Sequence, residues 1–237
     1  MQINVAAPNN IGWVQSKLDK IHIDYLWKII EEGKKKNLSF KGELVGHLSN
    51  SFKIEDTNNW FFKNALQQLI TVFYNSNGGA HPTKIVEPNF KNNLALRLGQ
   101  FWANYQYKHE FNPPHNHSGL YAFVIWMKIP YTSEEQKKLK FLDGVRENYK
   151  KAGDFEFLYT NLLGDITTKS IPMNPELEGT IVLFPAQFMH CVYPFYNCDE
   201  PRISLSGNVM VSPPLVNLEE QKTFIESKGI PSPEDIG

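Results

Sequence analysis

The sequence predicts an α+β protein rich in strands, because two helical patterns in its N-terminal part are followed by a series of strand patterns. In the N-terminal part, apolar residues recur at positions i, i+3 and i+4, which is typical of amphipathic helices. From about residue 94 onward, the segments are short and rich in β-branched and aromatic residues, with Gly, Pro, Asn or Asp between them. We therefore expect helices packed on the outside of a double sheet.

Two helices are predicted in the N-terminal part. The first runs from about Asp24 to Lys36, with Asp24 as its N-cap and a run of three lysines at its C-terminal end. The second runs from about Thr57 to Tyr74, and the cluster from Asn75 to Gly79 is expected to end it. Its apolar stripe comprises Trp60, Phe61, Ala65, Leu66, Leu69, Ile70 and Phe73.

Seven strands are predicted in the rest of the chain, and seven or eight such strands are typical of a sandwich or a jelly roll. They span about Leu94–Lys108, Gly119–Ile129, Phe155–Leu163, Ile166–Ile171, Thr180–Phe184, His190–Phe195 and Arg202–Val211. The charged segment Thr132–Gly153 is expected to be a helix or an ordered loop, of a length that commonly covers an active site. Leu218–Lys228 is expected to form a short terminal helix.

These elements predict a single domain over residues 1–237. Within it we expect a helical support at about residues 1–93, a strand-rich core at about 94–211 and a C-terminal tail or helix at about 212–237.

Composition and charge exclude several classes of function. Hydrophobic residues make up 41% and charged residues 21%, the formal charge is −1, and no segment approaches the length of a membrane span. We therefore expect no nucleic-acid or membrane partner. The N-terminus lacks the basic and apolar regions of a signal peptide, and Cys191 and Cys198 are too few for a disulfide framework. Two free thiols in a cytoplasmic protein are expected, while the oligomeric state stays open.

Three of the seven histidines predict a metal site. His115 and His117 stand at positions i and i+2, so both rings project from the same face of an extended strand and can reach one ion. His190 from a distant strand would complete a facial set, which leaves three adjacent positions open on Fe(II). The other histidines, left as ordinary hydrogen-bonded residues, are His22, His47, His81 and His109.

The last predicted strand has one polar face. Alternation places Arg202, Ser204, Ser206 and Asn208 on that face and Ile203, Leu205, Gly207 and Val209 on the other. A polar face that begins with arginine inside an otherwise apolar barrel indicates a polar ligand. Arg202 could bind a carboxylate through two parallel hydrogen bonds, and Ser204 could add a third from its hydroxyl group. The alternative is a surface ion pair of Arg202 with Asp199 or Glu200.

Another strand contributes two candidates. Trp102 and Asn104 face the same way by the two-residue period of a strand. We expect Trp102 in the core, whereas Asn104 is a candidate for a hydrogen bond to the ligand of Arg202.

Four motifs carry a resemblance to a known family. They are Trp102-Ala103-Asn104, the segment from Pro114 to Gly119, the segment from Gly179 through Phe184-Pro185 to His190, and Glu200-Pro201-Arg202-Ile203-Ser204. On these motifs, which cover about half of the chain, the sequence resembles the 2-oxoglutarate/Fe(II)-dependent dioxygenases, in particular a phage and bacterial branch similar to prolyl hydroxylases.

The resemblance implies a double-stranded β-helix with Fe(II) at its open end, 2-oxoglutarate and O2 as co-substrates, and decarboxylation of 2-oxoglutarate to succinate and CO2. The hydroxylated substrate would be a small molecule or a peptide. By the same resemblance, His115, His117 and His190 are the iron ligands, and Arg202 and Ser204, with Asn104 as a further candidate, bind 2-oxoglutarate.

One position departs from the commonest pattern of that family, which is His-x-Asp/Glu followed by a distal histidine. His117 stands where the carboxylate is expected, so an all-histidine set leaves the site one negative charge short. Two alternatives are that Gly119 takes the place of the carboxylate, as in halogenases that bind chloride there, or that Asp154 or Asp165 completes the set.

Two other functions also remain open. One is a cupin-like three-histidine metalloenzyme that does not use 2-oxoglutarate, such as a thiol dioxygenase or an isomerase. The other is a jelly-roll binding module without catalytic activity.

Overall fold

The structure is a computed structural model that describes residues 12–77 and 96–212. Its strands are β1 (Val14–Lys17), β2 (Asn50–Lys53), β3 (Leu96–Gln106), β4 (Asn112–His115), β5 (Tyr121–Lys128), β6 (Phe155–Thr160), β7 (Ile166–Ile171), β8 (Thr180–Pro185), β9 (Met189–Val192) and β10 (Arg202–Val211). Its helices are α1 (Lys20–Lys36), α2 (Gln67–Ser76), which follows a π-helical segment at Phe62–Leu66, and α3 (Ser133–Lys137). No helix within these two ranges is long and apolar enough to cross a membrane.

The strands form two antiparallel sheets. The larger sheet has the order β1-β8-β5-β10-β3-β2 and the smaller sheet the order β4-β9-β6-β7. Apolar residues of both sheets meet in one buried cluster, which includes Val124 and Trp126 of β5, Phe184 of β8, and Phe155 and Phe157 of β6. The predicted α+β, strand-rich jelly roll is therefore confirmed. Residues of both sheets line a cavity between them.

The helices lie on the outer face of the larger sheet. A second cluster joins Leu26 and Ile30 of α1 to residues such as Phe123 of β5 and Leu205 of β10. This packing explains the alternation along β10, because its apolar face is buried beneath the helices while its polar face turns toward the space between the sheets. Helices outside the double sheet were predicted and are observed.

The two predicted N-terminal helices are present, with a correction at the first N-terminus. Helix α1 begins at Lys20, and Asp19 occupies its N-cap position. Asp24 lies inside the helix and forms an ion pair with Lys20, with 2.6 Å between Oδ2 and Nζ. The prediction of Asp24 as the N-cap is therefore wrong. The C-terminal end was placed correctly, because Asn37 adopts a left-handed conformation (φ 49°) that ends the helix.

The second helical segment begins at residue 60 and continues into α2. The carboxylate of Asp56 accepts hydrogen bonds from the backbone N–H groups of Phe61 and Phe62, both at 2.9 Å, and so satisfies two donors at the helix start. All predicted stripe residues are buried except Trp60, which is half-buried.

All seven predicted strands occur, and three short ones were not predicted. β1 and β2 form the two edges of the larger sheet, although they lie in the segment predicted as a helical support. β4 is an edge strand of the smaller sheet and contains two prolines, which are tolerated where no neighbouring strand needs their missing N–H. The predicted terminal helix lies outside the described residues.

The charged segment between β5 and β6 contains both structures that were considered for it. Thr132 and Glu135 form a reciprocal capping box at the start of α3, and the chain then continues through short 3-10 turns.

The contact between Gly207 and its neighbours yields a stability prediction. A Cβ atom at Gly207 would lie 2.6 Å from Cζ of Phe123 and 2.8 Å from the backbone oxygen of Gln100. Gly207→Ala should therefore lower the free energy of unfolding by about 1–3 kcal/mol through overpacking, as measured by urea denaturation. At Gly42 a Cβ would meet nothing within 4 Å, so Gly42→Ala should change stability by less than about 0.5 kcal/mol. Equal effects of the two substitutions would contradict this account.

Candidate metal centre

The three predicted histidines converge at one end of the space between the sheets. His115 ends β4 and lies directly opposite His190 of β9 in the strand register. Ring nitrogens of His115, His117 and His190 all lie within 4.8 Å of one another, and Nε2 of His117 is 3.2 Å from Nε2 of His190. His117 lies two residues beyond β4 rather than on it, where its backbone N–H bonds to the carbonyl oxygen of Ala186 at 2.8 Å.

Each ring has an oxygen acceptor at Nδ1. Nδ1 of His115 is 2.7 Å from the backbone oxygen of Pro113, and Nδ1 of His190 is 3.1 Å from that of Phe188. Nδ1 of His117 is 2.9 Å from Oδ1 of a side-chain amide on β10. Because an oxygen acceptor keeps the proton on Nδ1, the lone pair of each neutral ring lies on Nε2.

The amide partner of His117 is Asn208. Its Nδ2 donates to Oε1 of Gln100 on β3 at 2.8 Å, which turns its Oδ1 toward the imidazole. Sequence reasoning placed Asn208 on the polar face of the last strand but assigned it no role. Its position on the same face as Arg202 was the only available signal, because the contact with His117 depends on the packing of the two sheets.

Burial keeps the three rings neutral. It lowers the pKa of His117 to about 4, with a smaller contribution from the neighbouring His115, and it holds the pKa of His190 well below its usual range. The pKa of His115 is also lowered by burial. Phe155 and Phe184 pack against the His190 ring with centroids 5.3 and 5.0 Å away, which accounts for its desolvation.

These donors fit a metal ion. Two ligands at right angles on an ion with metal–nitrogen distances of about 2.1 Å are about 3 Å apart, close to the separation of the His117 and His190 Nε2 atoms. Two imidazole lone pairs that face each other at this distance repel, and a cation bound between them removes the repulsion. Imidazole donors suit iron, zinc and copper.

No carboxylate belongs to this group. Within the two described ranges, the three histidines are the only cluster of at least three residues that could hold an ion. Asp154 accepts a hydrogen bond from Ser133 at 2.7 Å, and Asp165 is bonded to Asn161 in the turn between β6 and β7.

Gly119 has a different reason to be glycine. Its φ is +97°, and a Cβ there would lie 2.6 Å from the backbone oxygen of Val209. Gly119 does not line the cavity that contains the histidines.

The histidines line a cavity whose opposite wall is the polar face of β3 and β10. The three predicted ligand-binding residues, Arg202, Ser204 and Asn104, all line this cavity. Part of its rim consists of residues Glu43 to Gly46, whereas no residue of the segment from Thr132 to Gly153 lines it. The expectation that this charged segment covers the site is therefore not supported.

Arg202 is buried among uncharged acceptors. It is 3% exposed, and its Nη1 donates to the hydroxyl of Tyr131 at 2.6 Å and to the backbone oxygen of Gly153 at 3.0 Å. Its Nη2 donates to Oε1 of Gln106. These contacts use three of five N–H donors, and Nε with one Nη2 hydrogen lies on the guanidinium edge that can bind a carboxylate by two parallel bonds.

Arg202 lacks an anionic partner. The alternative of a surface ion pair is wrong, because Asp199 pairs with Lys108 at 2.6 Å and Glu200 pairs with Lys128. Within the described ranges no carboxylate lies at ion-pair distance from the Arg202 guanidinium. A buried cation without a counter-ion is costly, so the site fits an anionic ligand.

Asn104 also carries a side-chain NH2 group that can donate hydrogen bonds to a ligand. Its Oδ1 accepts a hydrogen bond from the hydroxyl of Ser51 on β2 at 2.8 Å, which leaves its Nδ2 group for the cavity that it lines. Asn104 lies opposite Ser204 in the register of β3 and β10.

The remaining histidines and the cysteines lie elsewhere. Of the four background histidines, none of the three in the described ranges lines the cavity, and His81 lies outside those ranges. Both cysteines are free, as predicted. Burial raises the pKa of the Cys191 thiol to about 11, so it stays protonated at neutral pH.

Known proteins resemble both the sequence and the fold. Residues 100–208 match the sequence model of a family described as "Putative 2OG-Fe(II) oxygenase". The structure is similar to a Pseudomonas putida prolyl-4-hydroxylase, with 13% identity, a TM-score of 0.51 and coverage of 86% of this chain and 94% of that one.

It is also similar to a viral collagen prolyl hydroxylase from Paramecium bursaria Chlorella virus-1, with 12% identity, a TM-score of 0.47 and coverage of 84% and 96%. At 13% identity, the similarity to the Pseudomonas putida structure supports the fold alone. No curated protein matches this chain.

The bond from His117 to Asn208 predicts a change in metal affinity. Asn208→Ala should lower the affinity for Co(II) or Zn(II) about 10- to 100-fold, because the ring loses the acceptor that keeps its Nε2 lone pair directed at the ion. The measurement is anaerobic competition with a chelator of known affinity. Asn116→Ala is the matched control, since this exposed amide between the two histidines bonds to Gln187 and should leave affinity unchanged. Equal losses in both variants would contradict the role of Asn208.

Asp154 predicts a pH dependence of stability. Burial raises its pKa to about 6 in the folded protein, above the value of about 3.9 in an unfolded chain. The folded state therefore binds the proton more tightly, and the contribution of Asp154 to stability falls as pH rises from about 4 to about 6. The melting temperature of the wild-type protein should therefore fall, relative to that of the Asp154→Asn variant, as pH rises from about 4 to about 6.

The bond from Ser133 holds the pKa of Asp154 down, so Ser133→Ala should extend the decline above pH 6. Parallel melting curves of wild type and Asp154→Asn between pH 4 and 7 would contradict this prediction.

Proposed function

We propose that this chain is a 2-oxoglutarate- and Fe(II)-dependent oxygenase that hydroxylates an unactivated C–H bond of a small molecule or a protein side chain, a proposal supported by the match of residues 100–208 to the model of a family described as "Putative 2OG-Fe(II) oxygenase". Its cofactor is Fe(II), and its co-substrates are 2-oxoglutarate and O2. Together they supply the oxidant for hydroxylation while 2-oxoglutarate is decarboxylated to succinate and CO2. The observation that carries the proposal is the convergence of ring nitrogens from three histidines in a cavity that is also lined by a buried arginine without a counter-ion.

His115, His117 and His190 hold the iron in this proposal. Three protein ligands would leave other coordination positions on the ion open to the co-substrates. Three neutral ligands also leave the full charge of Fe(II) uncompensated, which favours an anionic co-substrate and weakens iron retention relative to a carboxylate-containing site.

Arg202 and Ser204 bind the distal carboxylate of 2-oxoglutarate. Tyr131, Gln106 and the backbone oxygen of Gly153 hold the guanidinium group, so its free edge is fixed before the ligand arrives. The hydroxyl group of Ser204 contributes a hydrogen bond. Asn104 donates a further one from Nδ2, since its oxygen is already bonded to another hydroxyl.

The substrate enters past residues Glu43 to Gly46, which line the cavity and are exposed or half-buried. The Pseudomonas putida structure is a prolyl-4-hydroxylase, which supports a peptide substrate, and a small molecule is the other class proposed for this site. Two free thiols support location in a reducing compartment such as the cytoplasm.

Uncoupled turnover tests this function. With Fe(II) and O2, the protein should convert 2-oxoglutarate to succinate slowly without added substrate, and anaerobic addition of 2-oxoglutarate to the Fe(II) protein should produce a weak visible charge-transfer band. Arg202→Ala should abolish succinate formation or raise the KM for 2-oxoglutarate by on the order of 100-fold, because a two-bond charged contact is lost. Arg202→Lys should recover activity only in part, since lysine keeps the charge but not the paired geometry.

Arg97→Ala is the matched control, because Arg97 is an exposed arginine on β3 that does not line the cavity. Normal turnover by Arg202→Ala would overturn the assignment of Arg202. Oxygen consumption by the metal-loaded protein without any 2-oxo acid would overturn the co-substrate and favour the cupin-like alternative.

A further inference from the structure

Trp102 carries a buried donor without an acceptor. Its side chain on β3 is 3% exposed and lines the cavity, and its Nε1–H has no hydrogen-bond partner among the described residues. The nitrogen atom itself is buried. Buried polar groups in native proteins are nearly always paired, so an unpaired donor on a side chain that lines a cavity indicates that a ligand supplies the acceptor. Sequence reasoning placed Trp102 in the core, and its burial agrees with that, but its N–H group needs a different explanation.

The indole ring lies between two other rings. Phe40 stacks on it with centroids 5.4 Å apart and planes at 29°, and His117 stacks on it at 5.7 Å and 21°. The N–H bond lies in the plane of the indole ring, and both neighbouring rings lie over its faces, so neither can accept the hydrogen bond. The acceptor must therefore lie at the edge of the indole ring, and the same ring is stacked against His117 of the metal centre.

The register of β3 and β10 locates this donor within the cavity. Arg202 lies opposite Gln106 at one end of the polar wall, and Trp102 lies opposite Ser206 further along. Beyond them, Asn208 reaches His117 at the metal end. The pair of Trp102 and Ser206 therefore lies between Arg202 and Asn208 along the two strands. A dicarboxylate that extends from Arg202 to the metal must pass this pair.

We propose that Trp102 binds 2-oxoglutarate, and that its indole N–H donates to an oxygen atom at the metal-bound end of the 2-oxo acid. The inference rests on the proposed function and adds a ligand contact that the motifs did not assign. An anionic oxygen is a better acceptor than a neutral one, and the neutral histidine set leaves the bound oxo acid as the source of negative charge beside the ion. Trp102 thereby positions the co-substrate end that lies at the metal.

Indole N–H signals of the full-length, Zn(II)-loaded protein test the contact without turnover. The chain has five tryptophans, so a ¹H–¹⁵N spectrum contains five indole signals, and the Trp102 signal is assigned by its loss in Trp102→Phe and by through-bond correlations. On addition of 2-oxoglutarate the Trp102 proton should shift downfield and exchange more slowly with water. The signal of Trp27, which lies on α1 outside the cavity, should not move.

Affinity gives a second measurement. Trp102→Phe keeps an aromatic ring between Phe40 and His117 but removes the donor, so it should weaken 2-oxoglutarate binding to the Zn(II) protein about tenfold, as measured by calorimetry. Trp27→Phe is the matched control and should leave the affinity unchanged. If Trp102→Phe does not fold, the spectra of the wild-type protein decide the question.

The outcomes separate this inference from the function on which it rests. If 2-oxoglutarate binds the wild-type protein but the Trp102 signal stays in place, the contact is overturned and the proposed function stands. The same holds if Zn(II) alone shifts the signal and 2-oxoglutarate adds nothing. If 2-oxoglutarate does not bind the metal-loaded protein at all, both proposals fail.

Discussion

The orientation of three imidazole rings by oxygen acceptors is the constraint on which the rest of the site depends. Two of the acceptors are backbone carbonyls of the smaller sheet, at Pro113 within β4 and at Phe188 next to β9, and the third is the Asn208 amide of the larger sheet. The Nε2 atoms can therefore converge only when the two sheets pack in one relative position. The apolar cluster between the sheets sets that position, which makes the metal geometry a product of core packing rather than of local sequence.

Strand β10 connects stability to chemistry because its two faces serve different purposes. Ile203, Leu205 and Val209 are buried beneath the helices, while Arg202 and Asn208 face the cavity. A one-residue slip of this strand would exchange the faces and remove both the arginine and the histidine partner from the site. The long antiparallel pairings of β10 with β3 and β5 hold the register.

Much of this architecture could be predicted from sequence, and the failures have physical causes. The bounds of β10 and the polar face of Arg202 and Ser204 followed from alternation, which is a local property, whereas the histidine set rested on the spacing of His115 and His117 together with the family resemblance that added His190. The short edge strands β1, β2 and β4 were missed because their pairing partners, not their own four residues, make them strands. Asn208 and the indole N–H of Trp102 were missed because their roles depend on which side chains a distant strand brings beside them.

An all-histidine set beside an arginine without a counter-ion has a consequence for how the protein acquires its iron. With Fe(II) bound, the ion and Arg202 would bring three positive charges to a cavity whose only carboxylate among the described lining residues is the exposed Glu43, so a dianion would relieve much of the repulsion between the ion and the guanidinium. Thermodynamic linkage then requires that the 2-oxo acid and the metal strengthen each other's binding by the same factor. The fraction of protein that carries iron would thus rise and fall with the concentration of 2-oxoglutarate.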